Sequence, residues 1–188
     1  RHGESRWNLT NRFTGWVDVP LSIDGVREAQ SCAELCEKFD LDMAFTSKLQ
    51  RAQSTLNIIL TRQNRTGIFQ HENKDTHNRW LADSNKCLAD AVPIFASIEL
   101  NERYYGALQG MNKETAAKKY NATKLLSWRR GYKARPPKGE SLEDADNRMR
   151  PYLIRNIIPR VRKGKNILVA THGNTLRATI KHLEGITD

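Results

Sequence analysis

The segment 166–171 constrains the fold more than any other part of the chain. Its residues, NILVAT, form a nearly continuous apolar run that is followed by a histidine and then by helical periodicity. The run is far shorter than the ~20 residues that cross a bilayer, and it is typical of a parallel strand covered on both faces. Strand patterns at 43–46 and 94–100 also alternate with helical ones. This alternation predicts an α/β fold.

Capping residues and apolar spacing predict the helices. Ser22 precedes apolar residues at helical spacing, and SLED at 141–144 matches a capping box. Residues 64–90 are polar and weakly periodic, which predicts a long loop. We expect one domain over 1–188, with a polar insertion at about 64–93 and with residues missing at both ends. The predicted helices start after Ser22, at 51, at 113, at 123, at 141 (running to about 155) and at 175.

The chain carries an excess of positive charge. It has 31 Lys and Arg residues against 21 Asp and Glu residues, a formal net charge of +10. Such an excess favours anionic partners such as nucleic acid, anionic lipid or small phosphorylated molecules, although a basic solvated surface has the same composition. No apolar run is long enough for a membrane span, and no helix-turn-helix, zinc-finger or RNP signature is present. Composition therefore excludes a membrane-spanning chain and leaves both a basic solvated surface and an anionic partner open.

Cysteine and histidine usage indicates a reducing compartment and no metal site. Cys32, Cys36 and Cys87 are odd in number and lack CxxC spacing, so neither a disulfide framework nor a zinc site is indicated. His71 and His77 lie in a polar segment without clustered carboxylates, which is typical of surface histidines. We expect a cytoplasmic protein that needs no metal.

Two His-Gly dipeptides, His2-Gly3 and His172-Gly173, are the most informative functional signal. The second follows a predicted strand, and open α/β sheets bind ligands at the carboxyl ends of their strands. Glycine after histidine lets the backbone approach a ligand closely. A neutral imidazole can accept a phosphoryl group on nitrogen, which divides a difficult transfer into two easier steps. The pair therefore indicates a phosphoryl-transfer site.

Arginine would supply the fixed positive charge that phosphoryl oxygens require, because its planar guanidinium binds them in pairs. A structural explanation is available for each candidate: Arg51 could serve its own helix, and Arg129-Arg130 could be a solvated helix face. Spacing along the chain does not choose between these interpretations. The candidates are Arg1, Arg51, Arg103, Arg129 and Arg130.

A series of motifs covers nearly the whole chain outside 64–98. They are RHGES at 1–5 with Trp7-Asn8, FTGW at 13–16, TSKLQRA at 46–52, LNERYYGALQG at 100–110 with Asn112-Lys113, WRR at 128–130, PP at 136–137, GESL at 139–142 and HGNTLR at 172–177. On these motifs the chain resembles the cofactor-dependent phosphoglycerate mutases of the histidine phosphatase superfamily. RHG alone indicates the superfamily, whereas the glutamate block and WRR point to the mutase branch.

The resemblance implies a three-layer α/β/α fold with a mostly parallel central sheet, and a role for each matching residue. His2 would be the phosphorylated nucleophile, and Glu102 would be the general acid and base. Arg1, Arg51 and His172 would line the phosphate pocket. The residues that would contact substrate or cofactor are Asn8, Thr14, Gly15, Arg103, Tyr105, Lys113, Arg129, Arg130, Gly173 and Asn174.

The activity that the resemblance implies is interconversion of 3-phosphoglycerate and 2-phosphoglycerate. It would pass through a phosphohistidine and 2,3-bisphosphoglycerate, which also primes the enzyme as its cofactor. Two related activities stay open: a phosphatase, in which water attacks the phosphohistidine, and a bisphosphoglycerate mutase. Relatives are commonly homodimers or homotetramers. The competing interpretation, a basic polyanion-binding protein, has no need for the glutamate block beside two His-Gly dipeptides.

Overall fold

A parallel four-stranded sheet forms the centre of the fold. The computed structural model describes residues 1–70 and 91–187. Within them the strand order is β2-β3-β1-β4, and every neighbouring pair is parallel. The predicted α/β class with a parallel sheet is confirmed. The strands are β1 (Met43–Ser47), β2 (Thr66–Gln70), β3 (Ala91–Ser97) and β4 (Ile167–Ala170).

Side-chain caps start several of the helices between these strands. The Ser22 hydroxyl accepts from the Gly25 N–H, and Ser141 and Asp144 form the predicted capping box. No helix in the described ranges is long and apolar enough to cross a membrane. The helices are α1 (Arg6–Leu9), α2 (Ile23–Cys36), α3 (Gln50–Leu60), α4 (Lys113–Tyr120), α5 (Ala122–Arg130), α6 (Leu142–Tyr152), α7 (Ile158–Arg162) and α8 (Gly173–Leu183).

Helices cover both faces of the sheet, as the three-layer expectation requires. Successive strand residues point to opposite faces, so Ala44 and Phe45 belong to different hydrophobic clusters. On the first face, Leu56 and Leu60 of α3 pack against the sheet. On the second face, α6 and α8 pack together and bury Met149 and Ala178. Burial stabilises the layers by about 1.5–3 kcal/mol for each of the larger side chains, Phe45, Leu56, Leu60 and Met149.

The predicted loop at 64–90 is wrong for Thr66–Gln70, which forms β2 and pairs with β3. The hydrophobic periodicity of these residues is too weak to predict a strand. They form a short edge strand because β3 lies beside them. The side chains of Ile94 and Leu60 pack over Gly67, since a Cβ there would lie 2.5 Å from Ile94 Cδ1 and 2.6 Å from Leu60 Cδ1. The end of the predicted insertion, 91–93, belongs to β3, and residues 71–90 lie outside the described residues.

The helix predicted from 141 to about 155 is divided in the structure. It runs as α6 to Tyr152, continues as a π-helical turn over Leu153–Ile157, and then becomes α7. Pro151 and Pro159 lack the N–H that a regular helix uses, so the hydrogen-bond pattern shifts around them.

Candidate active site

The two His-Gly dipeptides lie side by side at the carboxyl end of β4. His172 follows the strand and is the N-cap residue of α8. The His2 backbone N–H donates to the Thr171 carbonyl at 2.9 Å, which ties the start of the chain to the end of β4. The two imidazole rings meet edge to face with centroids 4.9 Å apart. The position agrees with the rule that α/β sheets place ligands at strand carboxyl ends.

His2 is held as a neutral imidazole with one nitrogen available. Its Nδ1 lies 2.6 Å from the Gly3 carbonyl oxygen. Because a carbonyl only accepts, Nδ1 carries the proton and Nε2 keeps its lone pair. Burial lowers the pKa of His2 to about 3, and the charges of Arg51 and Arg1 act in the same direction. The ring can therefore serve as a nucleophile throughout the neutral pH range.

A close backbone contact fixes the His2 loop against α2. A Cβ on Gly3 would lie 2.1 Å from the Gly25 carbonyl oxygen, and a Cβ on Gly25 would lie 2.0 Å from the Glu4 carbonyl oxygen. Either side chain would force the two backbones apart. The paired glycines thus set the depth at which His2 enters the site.

His172 is fully buried behind His2. Its Nε2 lies 2.8 Å from the Ser47 hydroxyl, at the end of β1. Burial, with the charge of Arg51 next, lowers the pKa of His172 well below its usual range. Its Nδ1 has no hydrogen-bond partner among the described residues. Sequence reasoning missed Ser47, although its place at the end of a predicted strand was a usable signal.

A cavity of about 240 Å³ opens beside His2. Thirteen of the fifteen predicted site residues line it, and His172 and Arg103 do not. Three further residues, Arg12, Phe13 and Arg177, were not predicted. The predicted lining residues are Arg1, His2, Asn8, Thr14, Gly15, Arg51, Glu102, Tyr105, Lys113, Arg129, Arg130, Gly173 and Asn174.

The cavity is strongly cationic. Glu102 is the one carboxylate among its described lining residues, against seven cationic side chains. Burial, with the neighbouring charges of Arg129 and Arg1, lowers the pKa of Lys113. Such a cavity attracts small molecules that carry several negative charges. The cations are Arg1, Arg12, Arg51, Lys113, Arg129, Arg130 and Arg177.

Arg51 faces the cavity from the first turn of α3 and is only 1% exposed. Its guanidinium donates to the Gly15 carbonyl at 2.7 Å and to the Val17 carbonyl at 3.0 Å. Burial lowers its pKa to about 10, opposed by the charges of Glu102 and Asp18. It therefore remains protonated at neutral pH, so it supplies fixed positive charge and also orders the loop that carries Gly15.

Glu102 lies just beyond the short 3-10 turn at Ile98–Leu100. Its Oε1 accepts from the Arg103 N–H at 2.7 Å, and its backbone carbonyl accepts from the Trp16 indole N–H. The side chain is partly exposed and faces the cavity that His2 also lines. A carboxyl group in this position can exchange protons with a bound ligand.

Arg103 lies behind the cavity wall instead of in it. The residue is fully buried, and its Nη1 donates to the Trp128 carbonyl at 2.7 Å. The guanidinium stacks 4.7 Å from the centre of the Tyr105 ring. Its position supports Tyr105 and the end of α5, where Arg129 begins the cationic wall.

Arg12 and Arg177 stand on the exposed rim. Arg12 donates to the Gly110 carbonyl at 2.7 Å, and Arg177 lies 3.3 Å from the Asn174 amide oxygen. The signal for Arg177 was its spacing, since residues three apart on a helix share a face. Arg12 precedes the predicted FTGW motif directly.

No group of three or more candidate metal-ligating side chains comes together in the described part of the chain. His71 and His77 lie outside it.

The neutral state of His2 predicts a pH-dependent stability. The pKa is 6.5 for an ordinary histidine and about 3 in the fold, so the unfolded chain binds more protons between these values. The contribution of neutral His2 to the free energy of unfolding is then fully present above pH 6.5 and is lost as the pH drops toward 3. Lowering the pH from 7 to 5 therefore reduces the free energy of unfolding by about 2 kcal/mol through this one residue. Urea unfolding of the protein and of His2→Asn at both pH values measures the difference, and equal losses in the two proteins would contradict it.

Comparison with known proteins gives the family. The model of the histidine phosphatase superfamily (branch 1) matches residues 1–74 and 82–188. The unmatched residues 75–81 fall inside the predicted insertion. A 2,3-bisphosphoglycerate-dependent phosphoglycerate mutase of Methanosarcina acetivorans is 44% identical, covering 100% of this chain and 82% of that protein. A protein of the same name from Pseudoalteromonas atlantica is 46% identical, covering 100% of this chain and 83% of that protein.

The fold of the chain is also similar to that of solved structures. The structure titled Mycobacterial hydrolase 1 superposes with a TM-score of 0.78 at 21% identity, covering 100% of this chain and 77% of that one. This likeness concerns the fold, whereas the match over nearly the whole sequence concerns the family. With the paired histidines at the end of β4 and the cationic cavity beside them, this chain belongs to the histidine phosphatase superfamily.

Proposed function

We propose that this protein is a 2,3-bisphosphoglycerate-dependent phosphoglycerate mutase that interconverts 3-phosphoglycerate and 2-phosphoglycerate. The observation that carries the proposal is a neutral His2 with a free Nε2 that shares one cationic cavity with Glu102. Relatives that are 44% and 46% identical carry this name and align over the entire chain.

The transfer follows from the positions of these two side chains. The Nε2 lone pair of His2 attacks the phosphorus, and an N–P bond forms as the P–O bond to the substrate breaks. The electrons of that bond remain on the leaving oxygen, which takes a proton from Glu102. In the opposite transfer, which comes first in the interconversion, Glu102 removes a proton from the free hydroxyl of 3-phosphoglycerate, and that oxygen attacks the phosphohistidine to give the bound bisphosphate and free His2. After the bound ligand turns in the cavity, His2 takes the phosphoryl group from position 3 by the first transfer and leaves 2-phosphoglycerate.

The cations match the charge of the ligands. Phosphoryl oxygens develop charge in the transition state, and Arg1 and Arg51 supply preorganised positive charge beside His2. Lys113, Arg129 and Arg130 line the same cavity and suit a carboxylate and a second phosphate.

The chain's residues also fit the implied cofactor. Seven cations and one carboxylate suit a bisphosphate better than a singly phosphorylated ligand. When bound, 2,3-bisphosphoglycerate supplies the phosphoryl group that loads His2. Glu102 then donates the proton that the leaving oxygen needs. We propose that no metal takes part.

Partners and location follow from the same proposal. A glycolytic role places the protein in the cytoplasm, and the cationic cavity suits a small phosphorylated substrate instead of nucleic acid or a membrane. We also propose a homodimer or homotetramer, on the basis of the family resemblance.

The proposal is tested by following 3-phosphoglycerate directly with ³¹P NMR. Coupling enzymes are avoided because an added chelator would inhibit those that need a metal. Appearance of 2-phosphoglycerate, stimulated by 2,3-bisphosphoglycerate and unaffected by excess chelator, is the expected result. Release of inorganic phosphate without 2-phosphoglycerate would establish a phosphatase in its place. Retention on DNA without any phosphorylated protein would favour a polyanion-binding protein.

A further inference from the structure

One arginine donates to four of the five backbone carbonyl groups in the segment 98–102, which ends at Glu102. The Nη1 of Arg148, on α6, lies 3.0 Å from the Ile98 carbonyl oxygen and 2.8 Å from that of Glu99. Both terminal nitrogens lie 3.4 Å from the Asn101 carbonyl oxygen, and Nη2 lies 3.3 Å from that of Glu102. A single guanidinium therefore donates hydrogen bonds to four carbonyl groups of one segment.

Glu140 holds that guanidinium in place. Its two carboxylate oxygens each lie 3.0 Å from Arg148, one from Nε and one from Nη2. The Glu140 Oε2 also accepts from the Tyr104 N–H at 2.8 Å, on the far side of Glu102. The two side chains are 17% and 20% exposed, so solvent screens the pair little. Bidentate geometry adds strength and orientation.

Trp16 completes the arrangement. Its indole N–H donates to the Glu102 carbonyl, and the Arg148 guanidinium lies 5.4 Å from the centre of its ring. Trp16 follows Gly15, which lines the cavity. The segment that carries Glu102 is thus fixed from two directions.

The Glu102 side chain itself is lightly held. The hydrogen bond that fixes its carboxylate within the described structure comes from the N–H of the next residue, Arg103. The position of the carboxyl group therefore depends on its own backbone, and this backbone depends on Arg148. A displacement of about 1 Å in such a group can slow a reaction by 100-fold.

We propose that Arg148, oriented by Glu140, is the positioning residue for proton transfer by Glu102. The proposal rests on the proposed function of Glu102. Arg148 is not among the residues that line the cavity, so it acts through Glu102 and not on a bound ligand. It acts by holding the carboxyl group where the leaving oxygen can take its proton.

The test compares two phosphoryl donors in single-turnover loading of His2. Breaking the P–O bond of 2,3-bisphosphoglycerate or glycerol 2-phosphate leaves a strongly basic alkoxide, which needs the proton of Glu102. Breaking that of p-nitrophenyl phosphate leaves a stable phenolate, which does not. We expect Arg148→Met to slow loading from the alkyl donors by about 100-fold and to leave the p-nitrophenolate burst nearly unchanged. Glu102→Gln should give the same pattern.

Arg135→Met is the matched control. Arg135 pairs with Asp144, which lies on the helix that carries Arg148, but it binds none of the four carbonyls. It should affect neither donor. If Arg148→Met does not fold, Glu140→Gln keeps an acceptor for the Tyr104 N–H while removing the charge that orients Arg148. It should show a smaller loss of the same kind.

Equal losses with both donor types, or no loss with either, would overturn the positioning role. The outcome is separable from that of the proposed function. If the unmodified protein fails to isomerise 3-phosphoglycerate, the mutase proposal fails, while the ratio of alkyl to aryl loading still reports on Arg148. If Glu102→Gln is loaded from the alkyl donors as fast as the unmodified protein, Glu102 is not the acid and the role assigned to Arg148 fails with it.

Discussion

Replacing His2 by alanine is expected to abolish the phosphorylated protein and to lower mutase turnover by about 10⁶-fold, the scale seen when a covalent nucleophile is removed. The physical reason is the free Nε2, which is fixed by the hydrogen bond between Nδ1 and the Gly3 carbonyl. His172 cannot substitute, since it is fully buried and its Nε2 is engaged by Ser47. Mass spectrometry of the protein after exposure to 2,3-bisphosphoglycerate measures the acid-labile phosphate.

The matched control is His182→Ala, at the end of α8, away from the cavity. It should load phosphate and turn over as the unmodified protein does. The fold of His2→Ala should persist, and circular dichroism checks this. Turnover that survives in a folded His2→Ala protein would show that another group is the nucleophile.

Replacing Glu102 by glutamine is expected to lower kcat by about 10²–10⁴-fold, the range that general acid-base catalysis contributes. Glutamine keeps the size of the side chain and its acceptor for the Arg103 N–H. Its amide group does not ionise, so it cannot act as a general acid or base. The KM for 3-phosphoglycerate should change little, because the surrounding cations remain. Steady-state kinetics in both directions separates the two parameters.

Glu143→Gln, on α6 and outside the cavity lining, is the control for the loss of one negative charge. It should leave kcat and KM unchanged. A Glu102→Gln variant whose only change is a higher KM would identify Glu102 as a binding group instead of an acid and base.

The strands that carry the site were the easiest elements to predict from the sequence. The segment around β4 is apolar without alternation, as a strand covered on both faces must be. His172 follows it, so the rule for ligand sites in α/β sheets predicts the position of the site from the sequence. Glu102 is predicted only by the family motif at 100–110, because no local pattern of residues indicates its function.

Other features depend on neighbours that are distant along the chain. Thr66–Gln70 forms a strand because β3 lies beside it, and its own residues predicted a loop. Arg148 is far in sequence from the carbonyls that it gathers, and a lone arginine on a helix gives no sign of such partners. Arg103 matched a binding motif, yet burial places it behind Tyr105.

The crowding of positive charge in the cavity also affects how long the folded chain survives. Burial is the main cause of the lowered pKa of Lys113, and repulsion from the charges of Arg129 and Arg1 adds to it. This repulsion subtracts from the stability that the hydrophobic clusters provide, and an anionic ligand restores it. The occupancy of the cavity and the lifetime of the folded protein are therefore coupled. In a starved cell the empty molecule would open, and be degraded, sooner than one engaged with its metabolite.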